Sequence, residues 1–377
     1  MTKSQENTPY FGKDTGKLGY GNMRLPRING ELDYETIYKM EDTFMAAGYS
    51  YFDTCYVYEA SEKALGETLV PRYPRDSYQI NTKLSLLKIK SADEMRERFA
   101  TSLERLGLDY VDFYFLHSLT ADYLKKADEL DAWGFLRELK EKGLARHIGF
   151  SFHESPEMLD DTLNKHPETE LVLLQLNYLD WEDPKQQSRR LYETARKHGV
   201  PISVMEPCKG GWLASEVSGS GKFLKAANPG VSVASWAFRF LGELEGIHSI
   251  LSGMGALSEV EDNIKTFSDF KPLNAEEHKL IQRAVEIIRS TPSSPCTACR
   301  YCIPVCPEEI NIPESLQVYN NHLVHNDPAS LKHLYYMMGL TGSTPTNCIK
   351  CGACEKVCPQ HIDIPGYMDI ISDLISN

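Results

Sequence analysis

The sequence lacks three features that would have assigned it to common functional classes. No apolar run approaches the roughly 20 residues that a membrane-spanning helix needs, so no membrane association is expected. No block of Lys or Arg interrupts a chain of formal net charge −13, which argues against nucleic acid as a partner because phosphates need a basic stripe. No Gly-x-Gly-x-x-Gly fingerprint follows an early strand, so a doubly wound open sheet is the less favoured architecture.

The first residues, Met1-Thr2-Lys3-Ser4, are polar, so no secretory segment is expected. Disulfides are typical of exported proteins, so the ten cysteines are expected to be reduced thiols or metal ligands. We therefore expect a cytoplasmic protein. An apolar content of 42% over 377 residues is enough for one large domain and a second, smaller one.

Eight of the ten cysteines form two copies of one pattern. The first copy is Cys296, Cys299, Cys302 and Cys306 before Pro307, and the second is Cys348, Cys351, Cys354 and Cys358 before Pro359. This is the ligand spacing of two [4Fe–4S] clusters, in which the last cysteine of each run ligates the other cluster. The rule assigns Cys296, Cys299, Cys302 and Cys358 to one cluster, and Cys348, Cys351, Cys354 and Cys306 to the other.

Other uses of these cysteines fit the pattern less well. Zinc would take two Cys-x-x-Cys pairs and would leave the third and fourth cysteine of each run unexplained. The two remaining cysteines, Cys55 and Cys208, are interpreted as small core residues. Between the two runs, residues 313–325 and 328–338 carry apolar side chains at helical spacing, so the cluster-binding part is predicted to be mostly α-helical.

The rest of the chain alternates short β-rich runs with helical patterns. Eight strands are predicted, each followed by a helix: 18–21, 49–53, 78–83, 111–117, 146–151, 171–177, 202–205 and 248–251. This count predicts a (β/α)8 TIM barrel over residues 1–290. The proline-rich linker that begins at Thr291 then leads into a small, mostly α-helical two-cluster ferredoxin-like domain over residues 291–377.

Four polar residues lie at or just beyond predicted strand ends. Asp53, Lys83 and His117 each close a strand, and Tyr58 follows the strand that ends at Asp53. All four would lie on the C-terminal face of a barrel, where such enzymes hold their active sites. A lysine near a tyrosine favours the phenolate, and a carboxylate keeps the lysine charged. The tyrosine could then protonate a carbonyl oxygen while the histidine hydrogen-bonds that oxygen.

At these positions the chain resembles the aldo-keto reductase family over roughly residues 10–270. The motifs that carry the resemblance are Gly19-Tyr20-Gly21-Asn22-Met23-Arg24, Phe52-Asp53-Thr54 through Tyr58 to Leu65-Gly66-Glu67, Thr82-Lys83, Leu116-His117 and Ile148-Gly149-Phe150-Ser151. The resemblance implies that Asp53, Tyr58, Lys83 and His117 form the catalytic tetrad, with Tyr58 as the general acid/base. The branch of the family that carries a C-terminal ferredoxin-type domain matches best.

The resemblance also implies a nicotinamide coenzyme, NAD(P)(H), on the same face. The matching positions are Ser151 and Gln175 for the carboxamide, Pro207, Gly210 and Gly211 near the pyrophosphate, and Ser252, Gly253, Glu259 and Asn263 at the adenosine end. Asn177 is expected to point out of this pocket. Glu259 stands where an arginine often meets the 2′-phosphate, so NAD is expected to bind at least as well as NADP.

Two further departures affect the nicotinamide pocket. Phe152 follows the carboxamide serine where the family usually has Asn, and Met205 stands where an aromatic ring often stacks. A hydride donor and a one-electron cluster exchange electrons poorly, whereas flavins ordinarily split electron pairs. The sequence therefore suggests the hypothesis that this altered pocket accepts a flavin or works with a substrate that tolerates single-electron transfer.

The prediction for the whole chain is an oxidoreductase that reduces a carbonyl or oxidises an alcohol with a nicotinamide coenzyme. Its clusters would exchange electrons with an external carrier such as a ferredoxin. Two alternatives stay open. The barrel could be catalytically silent in an electron-transfer or binding protein, or the clusters could serve only as structural metal centres. The sequence identifies neither the small-molecule substrate nor the oligomeric state.

Overall fold

The structure, a computed structural model, describes residues 11–58, 60–291, 293–325 and 328–376. Packing divides the chain into two compact units. The first comprises the chain up to Pro207 together with Ala237–Leu273, and the second comprises Cys208–Trp236 together with the chain from Asn274 onward. The domain boundary expected at residue 290 stays a prediction, and Pro292 of the expected linker lies outside the described residues.

The first unit is built on a closed barrel of eight parallel strands. They are β1 (Leu18–Gly21), β2 (Tyr51–Asp53), β3 (Gln79–Ser85), β4 (Val111–Leu119), β5 (Ala145–Phe152), β6 (Leu171–Gln175), β7 (Ile202–Met205) and β8 (Ile247–Ser252). Each strand pairs with the next in sequence, and β8 closes the barrel on β1. The predicted (β/α)8 barrel is confirmed, with strand ends within two residues of those expected.

Helices follow the strands and make up most of the second unit. They are α1 (Tyr34–Ala46), α2 (Ser61–Thr68), α3 (Ala92–Leu106), α4 (Ala121–Glu129), α5 (Ala132–Glu141), α6 (Pro156–Lys165), α7 (Ser188–Lys197), α8 (Gly219–Ala227), α9 (Val233–Gly242), α10 (Leu257–Ser268), α11 (Ala275–Arg289), α12 (Ile312–His325), α13 (Pro328–Thr341), α14 (Ala353–Lys356) and α15 (Ile364–Ser376). Among the described residues, none of these helices has the length and apolarity to cross a bilayer.

Helix α4 was not anticipated from the sequence. The helix predicted after the fourth strand, over residues 129–142, corresponds to α5 and begins later than expected, because the chain turns at Asp131, whose φ of 51° is left-handed. The Asp131 side chain accepts a hydrogen bond from the Gly134 amide and so begins α5. Thr120 caps the preceding helix in the same way through the amide of Tyr123. Capping by side chains therefore decides this boundary, and apolar spacing alone did not reveal it.

The barrel interior is filled by residues that alternate along the strands. Tyr51, Phe113, Phe115, Leu171, Leu173 and Leu251 form one buried cluster. Phe11 packs against it near the strand N-termini, with its ring centroid 4.9 Å from that of Phe113 and 5.0 Å from that of His248. Side chains on a strand alternate between two faces, so every second residue continues this interior series.

Gly149 shows why the interior needs a glycine in β5. A Cβ atom built at Gly149 would lie 2.0 Å from the carbonyl oxygen of Leu171 and 2.9 Å from the Phe115 ring. The absence of a side chain therefore lets strand β6 and the Phe115 ring approach closely. This is the physical basis for the glycine in the sequence Ile148-Gly149-Phe150-Ser151.

The second unit is mostly helical, as expected for the cluster-binding part. Its core consists of buried residues from the cysteine runs and from α12, α13 and α15: Cys302, Ile310, Ile312, Leu316, Tyr319, Leu331, Tyr335, Cys354, Ile362, Ile364, Met368 and Ile371. Helix α15 was not anticipated from the sequence. Helix α11 begins at a capping box, in which Asn274 and Glu277 exchange hydrogen bonds.

Candidate functional site

The polar residues at the strand ends continue the interior series of the barrel. Asp53 follows Tyr51 by two positions, His117 follows Phe115, and Gln175 follows Leu173. Lys83 pairs with Phe115 across the β3–β4 ladder, so its side chain projects from the same face. Apolar residues thus fill the barrel interior, and polar residues replace them at the C-terminal ends of the strands.

Asp53 and Lys83 form a buried ion pair. Lys83 Nζ lies 2.7 Å from Asp53 Oδ1, and it also donates to the Thr54 carbonyl at 2.6 Å. The second carboxylate oxygen, Oδ2, accepts from Asn81 Nδ2 at 2.7 Å. Neither member of the ion pair is more than 3% exposed. The lysine is therefore fixed in position by a carboxylate and a carbonyl, both removed from water.

Tyr58 and His117 complete the group. The Lys83 ammonium lies 5.2 Å from the centroid of the half-buried Tyr58 ring. The rings of Tyr58 and His117 meet edge to face, with centroids 5.9 Å apart. The structure thus brings together all four residues that the sequence analysis singled out, although one of them lies in a loop rather than on a strand.

Burial sets the protonation of two members of the group. Burial raises the pKa of Asp53, and the adjacent Lys83 ammonium together with the Asn81 amide opposes that rise. The pKa of His117 is lowered well below 6.5, chiefly by burial and further by the positive charge of Lys83. At neutral pH the His117 imidazole is therefore uncharged and can donate a hydrogen bond from one ring nitrogen.

Sequence reasoning missed several residues that position this group. Asn81 precedes Lys83 by two residues on the same strand face, so period-two spacing could have identified it. Glu62 of α2 is buried, accepts from Thr82 Oγ1 at 2.6 Å and is paired with Arg105 at 3.2 Å. Only the fold brings Glu62 to Thr82, so no local signal in the sequence identifies that contact.

The expected carboxamide residues lie at neighbouring strand ends. Ser151 Oγ accepts from the Ser118 amide at 2.6 Å, and Gln175 Nε2 donates to Asp180 Oδ2 at 2.7 Å. Asn177 was expected to point away, but its amide donates to the same oxygen of Asp180 at 2.8 Å. That prediction was wrong, because residues two apart on a strand share one face, and the turn after Gln175 keeps the Asn177 amide beside Asp180.

Phe152 does not alter this pocket as expected. Its ring lies 5.9 Å from that of Phe150, and Phe150 contacts Trp133 of α5. The Phe152 side chain therefore shares the outer face of β5 with Phe150, whereas Ser151 projects from the opposite face. Met205, by contrast, packs against the interior cluster of the barrel. Of the two departures, only Met205 lies on the interior side.

The expected adenosine-end residues lie at the end of β8 and in α10. Asn263 Nδ2 donates to Ser252 Oγ at 2.8 Å. Glu259 Oε2 accepts from the Gly255 amide at 2.7 Å. A Cβ atom built at Gly253 would lie 3.6 Å from Arg24 Nη1. The Arg24 guanidinium is therefore close to this loop, which its place in the sequence did not indicate.

The remaining expected coenzyme residues lie where one compact unit ends and the other begins along the chain. Pro207 ends a segment of the first unit, and Gly210 and Gly211 belong to the second. Both glycines have left-handed φ values, 66° and 93°. A Cβ atom at Gly211 would contact nothing within 4 Å, so a ligand can approach the backbone there.

The eight cysteines of the second unit line two recesses. The first recess, of about 320 Å³, is lined by Cys296, Cys299, Cys302 and Cys358. The second recess, of about 350 Å³, is lined by Cys306, Cys348, Cys351 and Cys354. Each set is the one that the crosswise rule assigns to a single cluster.

The donor chemistry of the recesses fits an iron–sulfur cluster. In the described part of the chain, no three metal-ligating side chains lie close enough to share one ion. Four thiols spread around a volume suit a cubane, whose iron atoms are themselves separated, better than a single zinc ion. Burial raises the pKa of the Cys302 thiol, and it raises that of Cys354 to about 11. A bound metal would displace these protons.

Comparison with known families agrees with this geometry. Residues 17–286 match the model of the aldo/keto reductase family. The chain belongs to the aldo/keto reductase family. Residues 295–362 match a 4Fe-4S dicluster domain. The chain therefore joins a barrel of this family to a C-terminal segment that matches a two-cluster domain.

Individual relatives are distant. The aldo-keto reductase str7 of Strobilurus tenacellus is 30% identical over 53% of this chain and 60% of its own length. The alignments with the first four curated relatives span 41–60% of their lengths. An aldo-keto reductase of Bacillus halodurans superimposes with a TM-score of 0.58 at 23% identity, over 71% of this chain and 91% of that one.

A second solved structure gives the same fold. An aldo/keto reductase of Klebsiella pneumoniae, in complex with NADP and acetate, has a TM-score of 0.58 at 18% identity, over 71% of this chain and 90% of that one. These structural likenesses establish the barrel fold. Nothing in the comparisons supports the flavin hypothesis.

Proposed function

We propose that this protein reduces a carbonyl compound, or oxidises the corresponding alcohol, with a nicotinamide coenzyme, and that two [4Fe–4S] clusters couple this reaction to an external one-electron carrier. The observation that carries the proposal is the arrangement around Lys83. Its ammonium is fixed by Asp53 at 2.7 Å and lies 5.2 Å from the Tyr58 ring. A fixed ammonium beside the ring supports an acid/base role for Tyr58, because a nearby positive charge favours the phenolate.

In this proposal each member of the group has one role. Tyr58 transfers a proton to the carbonyl oxygen, and the nearby Lys83 ammonium favours the phenolate that remains. Asp53 keeps the ammonium in place. His117 is neutral because its pKa is lowered, so it donates a hydrogen bond to the same oxygen without adding a second positive charge.

The coenzyme, when bound, supplies the hydride. Ser151 and Gln175 are proposed to hold its carboxamide, and Asp180 fixes the Gln175 amide by accepting from Nε2. Close backbone approach is proposed for the pyrophosphate at Gly211, where a Cβ atom would meet nothing within 4 Å, whereas Thr297 takes the corresponding space at Gly210. Pro207 is proposed to set the start of that loop. Ser252, Gly253 and Asn263 are proposed to contact the adenosine end.

Glu259 supports a preference for NAD. Its carboxylate is fixed near the start of α10 by the Gly255 amide, and a carboxylate there would repel a 2′-phosphate. The Klebsiella protein was solved with NADP, so the proposed preference of this chain would differ from that protein. We expect tighter binding of NADH than of NADPH in fluorescence titrations of the wild-type protein, and Glu259→Gln should narrow the difference. Equal or tighter binding of NADPH to the wild type would contradict this expectation.

The eight cysteines are proposed to ligate two clusters, which would supply one-electron transfer. The backbone amide of Ala298 lies 3.4 Å from Cys296 Sγ, and amide hydrogen bonds to sulfur are one of the features that set cluster potentials. Cys351 is exposed, so the second recess is open to a carrier in solution. Structural clusters and a silent barrel are the two alternatives that the experiment must separate.

Tyr58→Phe tests the proposal, with Tyr56→Phe as the matched control. The Tyr56 ring packs on the guanidinium groups of Arg98 and Arg105, at 5.0 and 4.4 Å, so its hydroxyl has no role in the proposal. With a nitrobenzaldehyde as the carbonyl probe, Tyr58→Phe should lower kcat by about 10²–10⁴-fold, whereas Tyr56→Phe should change it little.

Four outcomes separate these interpretations. Loss of turnover in Tyr58→Phe alone, with clusters that still reduce and reoxidise, supports the proposal. Wild-type turnover in Tyr58→Phe would refute the assigned chemistry, and cluster reduction without turnover in any variant would favour a silent barrel. Clusters that no carrier or coenzyme reduces would favour a structural role.

A further inference from the structure

Lys209 is a buried cation that the proposed reaction does not use. It follows Cys208 in the second unit and is 3% exposed, with its Nζ donating to Gln360 Oε1 at 2.9 Å. Lysine is rarely buried, because removing an ammonium from water is costly unless nearby groups compensate. A buried lysine at this place therefore calls for a functional reason.

Gln360 connects this cation to the first recess. Its side chain lines that recess together with the four thiols, and it lies two residues after Cys358. The Lys209 side chain therefore contacts a residue of the recess wall. A charge placed there acts on the recess through protein rather than through bulk water.

The backbone beside Lys209 touches a second part of the same wall. A Cβ atom at Gly210 would lie 2.6 Å from Thr297 Cα, and Thr297 stands between Cys296 and Cys299. No side chain could occupy position 210 without moving one loop away from the other. The 209–210 segment thus contacts both stretches of chain that supply thiols to the first recess.

The second recess has a different electrostatic environment. Its lysine, Lys350, is exposed and pairs with Asp369 at 2.8 Å. Glu308 also lines this recess. Exposed charges are screened by water and salt, so Lys350 has a weaker influence than a buried ammonium. The two recesses are therefore electrostatically unequal.

We propose that Lys209 is a positioning residue that raises the reduction potential of the first cluster through its contact with Gln360. This inference rests on the proposed function, because it requires a cluster in the first recess. When a cluster takes up one electron from a reductant, its net charge falls by one. A nearby buried cation stabilises the more negative state and so favours reduction.

A redox titration followed by electron paramagnetic resonance tests the role of Lys209. Wild type, Lys209→Gln, Lys209→Arg and the exposed control Lys222→Gln are titrated anaerobically with dithionite and mediators. Lys222 belongs to α8 in the same unit, so the control removes the same charge from the surface. A Cys358→Ala sample identifies which signal belongs to the first recess.

Removal of the charge should make the first cluster harder to reduce. In Lys209→Gln its reduction equilibrium constant should fall at least tenfold, which is about 59 mV for a one-electron couple. Lys209→Arg and Lys222→Gln should stay close to wild type, and the second cluster should be unaffected. A merely structural role for Lys209 would not move one potential while leaving the other in place.

Several results would overturn the inference. An unchanged first-cluster potential in Lys209→Gln would do so, as would an equal shift in Lys222→Gln. If Lys209→Gln loses iron, Gln360→Glu retains the lysine and places a negative charge beside it. This variant should lower the first-cluster potential, and no change would refute the inference. If the wild-type protein holds two clusters and the Lys209 variants leave the first-cluster potential unchanged, only this inference is refuted. If the wild-type protein holds no clusters, the proposed function is refuted as well.

Discussion

Replacing Lys83 with Met would leave the Asp53 carboxylate buried without its ammonium partner. Removing one member of a buried ion pair costs about 3–5 kcal/mol in unfolding free energy. Asn81 would still donate to Asp53 Oδ2, so one of the two observed side-chain donors to the carboxylate survives. We therefore expect a loss near the lower end of this range, about 3 kcal/mol at pH 7.

The double variant Asp53→Asn with Lys83→Met removes both charges together. Asn has nearly the shape of Asp but carries no charge, so most of the stability should return, leaving a deficit of about 1 kcal/mol from the lost hydrogen bonds. Turnover should stay low in both variants, because both lack the ammonium beside Tyr58. Recovery of stability without recovery of activity would separate the contribution of Lys83 to folding from its proposed contribution to proton transfer.

Urea unfolding followed by tryptophan fluorescence measures these differences, with the exposed Lys222→Met as the control. The pKa of Asp53 is already raised by burial, and it should rise further once Lys83 is gone. The folded state then binds the proton more tightly than the unfolded state, so the stability deficit should shrink as the pH falls from 7 to 5. If the single and double variants unfold at the same urea concentration, the ion-pair reasoning is wrong.

Two further predictions concern the thiols and a buried histidine. Cys358→Ala should remove the first cluster and Cys306→Ala the second, each halving the iron content; loss of the first-recess signal in Cys306→Ala would contradict crosswise ligation. Burial lowers the pKa of His248 to about 4. As the pH falls below 6.5, the histidine therefore binds a proton in the unfolded state before it does so in the folded state. The unfolding free energy should fall by about 3 kcal/mol between pH 6.5 and 4. His248→Asn should show a shallower pH dependence of urea unfolding than wild type, and identical slopes would rule out this assignment.

The barrel could be predicted because its signals are local. The glycines that end helices, Gly48, Gly107, Gly143 and Gly199, all have left-handed φ values, as expected of C-cap positions. The apolar runs that follow these glycines predicted the strands at positions close to those in the structure. Helix α4 and the later start of α5 were missed, because the turn between them depends on a left-handed aspartate, Asp131, which sequence spacing does not reveal.

The candidate site was predictable only in part. Strand-end placement was enough to suggest Asp53, Lys83 and His117, since parallel strands bring their C-terminal ends to one face. The partner of Gln175, Asp180, lies beyond the strand end, so no strand periodicity identifies it. Lys209 and Gln360 are 151 positions apart in sequence, and nothing short of the fold indicates that they touch.

The alternation along the barrel strands has a consequence for how this protein can change. Because packing residues and the proposed catalytic residues share one strand face, inserting a single residue within β2 or β4 would turn Asp53 or His117 towards the helices and place polar atoms in the core. Insertions in the loops beyond the strand ends do not change which face these side chains occupy. Substrate range could therefore be re-engineered by exchanging those loops, with the proton-transfer geometry left intact.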